Sequence, residues 1–380
     1  MINPKKKNGS ILIHAVGDVL VNRDDPDSIF AMSAATIREA DIAFCQVETN
    51  YSERGAPQLV SRVPQRAHPR NAVAIKNAGF HVTSLAGNHC GDFGPEALLD
   101  TIDLLTNLGL RVVGVGRNIE EARKPVIIEK NGTRIAFLAY CTILPYGYWA
   151  EENKPGCAPM RGLTFYEQIE HDQPGTPCLI HSAPLPQDLR DMQRDIAKAK
   201  QEVDVVIVSH HWGLHFIPAK IADYQIEVGH ATLDAGADLV LGHHAHILKG
   251  IEVYNNKVIF HSMGNFAFDV YITKKIWESP RFKELTALNP SWKYDPEYPN
   301  YSFPVDSRKT LLAKIIISDK KIQRVSFLPA YVLNANQPEI LQRKDKRAQE
   351  VFDYMEWLNK EAGFDTQMSF EGNEIVLATS

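Results

Sequence analysis

The sequence lacks an excess of basic charge. Its 41 lysines and arginines are outnumbered by 46 aspartates and glutamates, for a formal net charge of −5. A nucleic-acid partner is therefore not expected, because phosphate binding needs a basic footprint. Also missing is any apolar run near the roughly 20 residues that a bilayer-crossing helix requires. The lysines at 5–7 resemble the start of an export signal, but the apolar stretch after them is short and interrupted by His14 and Asp18. The expectation is a cytoplasmic chain with a flexible N-terminus over 1–10 and no transmembrane segment. The five cysteines (Cys45, Cys90, Cys141, Cys157 and Cys178) are odd in number and form no Cys-x-x-Cys pair. That argues against a disulfide framework or a thiolate zinc site. There is no internal repeat and no low-complexity tract.

What is present is ordinary for a globular protein: 380 residues, 44% apolar and 23% charged. Short apolar runs alternate with helical patterns. Strands are expected at 11–16, 42–47, 82–86 and 111–115, and helices at 28–40, 69–78 and 95–108. This rhythm implies an α/β fold with a largely parallel, buried sheet. A hairpin turns at Asn131-Gly132. Residues 144–186 read as a long surface excursion covering the site, and residues 270–308 as a second Pro- and aromatic-rich insert. Between them the α/β rhythm resumes, with strands at 204–209 and 238–241. A late hairpin, an amphipathic helix over 346–361 and a strand pair around Gly372 close the chain.

Five segments share one property: each is an apolar strand running out into metal-competent side chains. They are Val16-Gly17-Asp18, Gln46-Val47-Glu48, Ala86-Gly87-Asn88-His89, Val208-Ser209-His210-His211-Trp212-Gly213, and Leu241-Gly242-His243-His244-Ala245-His246. Open α/β sheets place ligands at strand C-terminal ends. Carboxylate and amide oxygens are hard ligands, while imidazoles suit zinc, iron and manganese. A two-metal site needs such ligands from several strands and a carboxylate between the ions. Of His210 and His211, only one can point into the cleft, because a strand alternates faces.

The order Gly17-Asp18, Val47-Glu48, Asn88-His89-x-x-Asp92-x-Gly94, His211-Trp212-Gly213 and Gly242-His243-His244-Ala245-His246, followed by Gly264-Asn265-Phe266, resembles the calcineurin-like metallophosphoesterases. Within them it is similar to the CapA, or poly-gamma-glutamate capsule synthesis, family. The resemblance spans about residues 11–330. It implies a four-layer αββα sandwich over that range, with the two inserts as loop insertions and 331–380 as a helix and hairpin packed on the same domain. It implies one or two divalent ions (Mn, Zn, Fe or Ca) held by Asp18, Glu48, Asn88, His211, His244 and His246. Glu48 stands where the wider superfamily has its bridging Asp. His89 is implied as the general acid or a phosphate-binding imidazole, oriented by Asp92. Two departures stand out: Leu20 occupies the place of the superfamily's first-motif His, and His215 a place where CapA proteins commonly carry Glu.

Other residues are candidates on position alone. His215 lies on the cleft side as a further catalytic candidate. Asn265, Arg62, Arg66 and His210 are candidates for substrate contact, the arginines as clamps for a carboxylate or phosphate. Tyr146, Tyr148 and Trp149 form a candidate aromatic wall. Cys90, beside His89, reads as structural. The resulting expectation is a metal-dependent enzyme, hydrolytic or acid–base, acting on a peptide-like, polyglutamate or phosphoester substrate. Two rivals use the same scaffold: a peptide epimerase of the lasso-peptide type, and a non-catalytic polyglutamate-binding accessory protein of a capsule-synthesis complex.

Overall fold

In the computed structural model, residues 9–61, 63–170, 175–270, 277–287, 289 and 292–378 are described. Two large sheets organise the α/β chain. The six-stranded sheet has a parallel centre, Thr133–Cys141, Val205–His211, Leu239–His243 and Lys257–Phe260, with antiparallel edge strands Val126–Lys130 and Ile251–Tyr254. In the ten-stranded sheet, Ile11–Leu20, Ile42–Val47, Val82–Ser84 and Arg111–Val113 run parallel. The long hairpin Lys309–Ser318 and Lys321–Val332 then joins antiparallel to the first strand. Both sheets are thus mixed, the six-stranded one with a parallel centre and the ten-stranded one with its parallel strands along one side.

Side-chain alternation decides what each strand touches. Ile135, Phe137, Ile207, Leu239, Leu241 and Phe260 of the six-stranded sheet share one core with Ile13, Phe44 and Val47 of the ten-stranded sheet. Phe44 and Phe137 stack across it, ring centroids 5.9 Å apart. The alternate residues Ala136, Leu138, Val206, Val208 and Val240 face a second core. There they meet Met192 and Ile196 of helix Pro186–Glu202 and Val228 and Leu233 of helix Asp223–Asp234. Burying both faces explains why these strands read as nearly continuous apolar runs. The helix Lys346–Glu361 is capped by Asp345, whose side chain accepts the Arg347 N–H. It turns Ala348, Val351, Met355 and Leu358 into the shared core.

The structure differs from the expected elements in three places. The helix expected over 28–40 is a 3-10 turn, Pro26–Phe30, and one α turn, Ala34–Ile37. Ile29, Phe30 and Ile37 are its buried anchors, and Ser33 between them gives no large apolar side chain at helical spacing. The excursion at 144–186 contains a hairpin, Gly162–Glu167 with Leu179–Pro184. Its residues are largely exposed, so no buried face wrote an alternation into the sequence. The first strand continues to Leu20 instead of stopping at Val16.

Candidate metal centre

The site begins where the first strand changes partner. Ile11 to Val16 pair with Lys309–Ser318, and from Asp18 on the strand pairs with Asn265–Phe268. At the crossover the Asp18 N–H donates to the Gly264 carbonyl at 3.0 Å. A Cβ on Gly17 would stand 1.9 Å from that same oxygen, so only glycine permits the approach. Asp18 is thereby aimed at the turn after Leu239–His243. Its Oδ2 accepts the His244 N–H at 3.1 Å, and its Oδ1 lies 3.4 Å from His243 Nδ1. His244 (φ 89°) and His246 (φ 57°) both hold left-handed backbone. Such residues cost about 1–3 kcal/mol each and persist where their surroundings require them. His244 and His246 therefore reach the site by strained turn geometry, not by strand alternation.

Glu48 stands at the centre. Its Oε1 lies 3.6 Å from His211 Nε2, 3.7 Å from His246 Nε2 and 3.8 Å from His89 Nε2. Two groups of ligand atoms share it: Glu48, His211 and His244, and Asp18, Glu48 and His246. In the first, Asn88 Oδ1 adds an oxygen 2.6 Å from His211 Nε2 and 3.2 Å from His244 Nδ1, and the two ring nitrogens are 3.1 Å apart. In the second, His246 turns Nε2 toward Glu48, while Asp18 Oδ2 lies 3.7 Å from the other ring nitrogen, Nδ1. Two ligand atoms of one tetrahedral ion, each about 2.0–2.3 Å from it, stand about 3.3–3.7 Å apart. The spacings around Glu48 fall close to that range.

The polar inventory fits a cation. Both Glu48 oxygens, Asp18 Oδ1, His211 Nδ1 and His215 Nε2 are buried without a hydrogen-bond partner among the described residues. An unpaired buried carboxylate is costly, by several kcal/mol per ion, unless a positive charge or a proton meets it. Burial, then Asp18 and Asp92, push the Glu48 carboxyl well above its usual range. Burial, then neighbouring imidazoles, hold His211, His215 and His244 well below theirs. Burial lowers His246 as well. Neutral imidazoles with free lone pairs are the form that binds metal. These buried His, Asp and Glu groups could hold metal ions.

Beside them sits an imidazole–carboxylate pair. His89 Nδ1 and Asp92 Oδ2 are 2.5 Å apart. Asp92 is fixed by Ser61 Oγ at 2.8 Å, the Gln65 N–H at 2.7 Å and the Tyr148 hydroxyl at 3.2 Å. The long excursion thus touches the site through Tyr148, while Tyr146 is exposed and leans edge-on against Trp149. His215 stacks on His244 with centroids 3.8 Å apart. Asn265 opens its strand and its Oδ1 lies 2.8 Å from His246 Nδ1.

Several candidates lie elsewhere. His210 is on the opposite face from His211, with Nε2 3.0 Å from Thr232 Oγ1 and its ring stacked on Trp212. That follows from the parity of Val206 and Val208, which face the helices, so His210 is not in the cluster. Arg66 spends its guanidinium over the Phe93 ring at 4.3 Å. Arg62 lies outside the described residues. Cys90 is buried, and the Cys157 thiol beside it together with burial pushes its own thiol well up, away from reactivity. Leu20 is buried in the sheet opposite Phe268 and offers no ligand. His243, beside Asp18, was not singled out from the sequence, although its parity with Leu239 and Leu241 places it on the inner face. Ser61 and Tyr301 were also missed, because their partners are distant in sequence, and Tyr148, expected as part of an aromatic wall, instead donates to Asp92.

Residues 8–270 match the family model described as bacterial capsule synthesis protein PGA_cap, stopping short of the 330 that the motif order suggested. The chain is 30% identical over 264 residues to the PGA biosynthesis protein CapA of Bacillus subtilis, covering 67% of this chain and 62% of that protein. It is 28% identical over 275 residues to the capsule biosynthesis protein CapA of Bacillus anthracis, covering 70% of this chain and 61% of that protein. The chain therefore spans under two thirds of the length of these relatives. Among solved structures it is similar to the calcineurin-like phosphoesterase YfkN from Bacillus subtilis, with 14% identity, a TM-score of 0.40, and coverage of 92% of this chain and 99% of that one. Among the described residues no helix is long and apolar enough to cross a membrane. With a family match across most of its length, the chain belongs to the bacterial capsule synthesis protein PGA_cap family.

Proposed function

We propose that this chain is a two-metal hydrolase of capsule poly-gamma-glutamate metabolism, acting on a polyglutamate or similar peptide-like substrate. The observation that carries the reading is Glu48: one buried carboxylate, without hydrogen bonds among the described residues, common to two ligand groups. Glu48, His211, His244 and Asn88 would hold one divalent ion, manganese or zinc, and Asp18, Glu48 and His246 the other. Such ions supply Lewis-acid polarisation of an amide or phosphoryl oxygen and lower the pKa of bound water. The chain's own residues do the rest. Asp92, locked by three donors, fixes the His89 ring so that Nε2 faces the Glu48 side of the cleft. His89 then moves a proton to the leaving group. His215, Phe216 and Phe303 wall the imidazole side and exclude water from it.

The same reading takes residues 11–330 as a four-layer αββα sandwich of the metallophosphoesterase type, with 331–380 packed on it, and places the chain in the cytoplasm. The His89–Asp92 pair favours catalysis over passive polyglutamate binding, because a binding surface has no use for an oriented proton carrier. The test is metal analysis of the purified protein, then turnover of poly-gamma-glutamate by wild type, Asp18→Ala, His89→Ala and His246→Ala. Asp18→Ala and His246→Ala should lose metal and turnover together. His89→Ala should keep metal and lose turnover. Turnover retained in all three variants would defeat the proposal.

A further inference from the structure

The ligand His246 is held by a chain of hydrogen bonds that starts in the aromatic-rich insert. Its ring Nδ1 lies 2.8 Å from Asn265 Oδ1. The Asn265 amide Nδ2 donates to the Tyr301 hydroxyl at 3.2 Å, and that hydroxyl donates to the Ser307 carbonyl at 2.6 Å. Asn265 and Tyr301 are both buried. The direction of this chain is forced. A backbone carbonyl only accepts, so the single Tyr301 proton goes to Ser307. The Tyr301 oxygen can then only accept, which turns the NH2 end of Asn265 toward it and the carbonyl end toward His246. An acceptor at Nδ1 requires a proton there. The lone pair is left on Nε2, the nitrogen 3.7 Å from Glu48 Oε1.

We propose that Tyr301 is a positioning residue which, through Asn265, sets the tautomer and ring orientation of His246 toward a bound metal ion. This rests on the two-metal reading above, although the tautomer itself is a property of the metal-free chain. The insert is well placed for the task. Arg308 ties it down by pairing with Asp295 at 2.6 Å and covering the Tyr298 ring at 3.5 Å. Phe303 lies against the His246 ring with centroids 5.0 Å apart, and Tyr301 against Phe303 at 5.3 Å. The insert therefore grips His246 by its ring face and by its outer nitrogen. Partners of this kind fix ligand tautomers at metal sites, and their loss weakens metal binding about 10–100-fold.

The test uses the full chain with nitrogen-15-labelled histidines, and His246→Gln assigns the resonance. Long-range proton–nitrogen spectra of the metal-free protein should show His246 protonated at Nδ1 and bare at Nε2. Tyr301→Phe keeps the ring and removes the hydroxyl. It should give a mixture of His246 tautomers and raise the Mn²⁺ dissociation constant about 10–100-fold. Asn265→Leu breaks the same link from the other side and should do likewise, which covers a failure of either variant to fold. A wild-type His246 protonated at Nε2 would overturn the proposal. So would variants with the wild-type tautomer and wild-type Mn²⁺ affinity. If wild type binds no Mn²⁺ at all, the metal reading fails, while the tautomer spectrum still decides the role of Tyr301.

Discussion

Replacing Glu48 by Gln separates the metal-free protein from the loaded one, because the two should respond with opposite signs. Glu48→Gln keeps the shape of the side chain and removes its charge. In the metal-free chain both carboxylate oxygens are buried and unpaired, and the neighbouring Asp18 and Asp92 repel the charge further. Its carboxyl is held well above the ordinary 4.5. The folded chain thus keeps a proton that the unfolded chain has released, so stability falls as pH rises above that value. Glutamine removes this penalty and offers an NH2 group to the lone pairs of His211 and His246, 3.6 and 3.7 Å from Glu48 Oε1. Relieving one unsatisfied buried group is worth about 1–3 kcal/mol. One kcal/mol moves the melting temperature by about 2–4 °C in chains of 150–250 residues, and by about half that here. Metal-free Glu48→Gln should therefore melt about 1–6 °C above wild type at pH 7.5. Manganese at 100 times its dissociation constant stabilises wild type by about 2.7 kcal/mol. The variant, having lost the carboxylate common to both ligand groups, should gain little. Scanning fluorimetry with and without Mn²⁺ measures both. A variant that melts lower without metal and keeps the full Mn²⁺ shift would show that Glu48 is not the unpaired centre of the site.

Three further outcomes follow from particular contacts. Gly17→Ala puts a Cβ 1.9 Å from the Gly264 oxygen, so it should cost about 2–4 kcal/mol and weaken Mn²⁺ binding, read by urea unfolding and titration calorimetry. His14 is buried, and burial, then Lys314, holds it at about 4 against an ordinary 6.5. Between those values only the unfolded chain takes the proton, so stability should be present above pH 6.5 and drain away as pH falls toward 4, by about 3 kcal/mol. His14→Leu should flatten that slope in urea titrations across the range. His211→Gln should lose Mn²⁺ by more than the roughly 10–100-fold of an outer-shell change, while His210→Gln keeps it and loses only stability.

Much of the fold can be read from residue order because the strand centres are buried on both faces, so Val205–Ile207 and Leu239–Leu241 stand out as apolar runs. The strand ends stand out for the complementary reason: Asp18, Glu48, Asn88 and the histidines break those runs abruptly. Whether His210 or His211 enters the cleft was not legible from type. It follows from parity with Val206 and Val208, which becomes visible once the helices on that face are known. The link from Tyr301 through Asn265 to His246 was illegible, because its Tyr301–Asn265 step joins positions 36 residues apart. The same holds for Tyr148 and Asp92, 56 residues apart. Local pattern records burial, and it records nothing about which distant hydroxyl a buried carboxylate will meet.

Anomalous scattering from a crystal soaked in Mn²⁺ would show most directly whether Glu48 lies between two ions. Two peaks are expected, roughly 3.5–4 Å apart, one beside Asn88, His211 and His244 and the other beside Asp18 and His246. No peak within coordination distance of Glu48, with manganese bound elsewhere or nowhere, would contradict it.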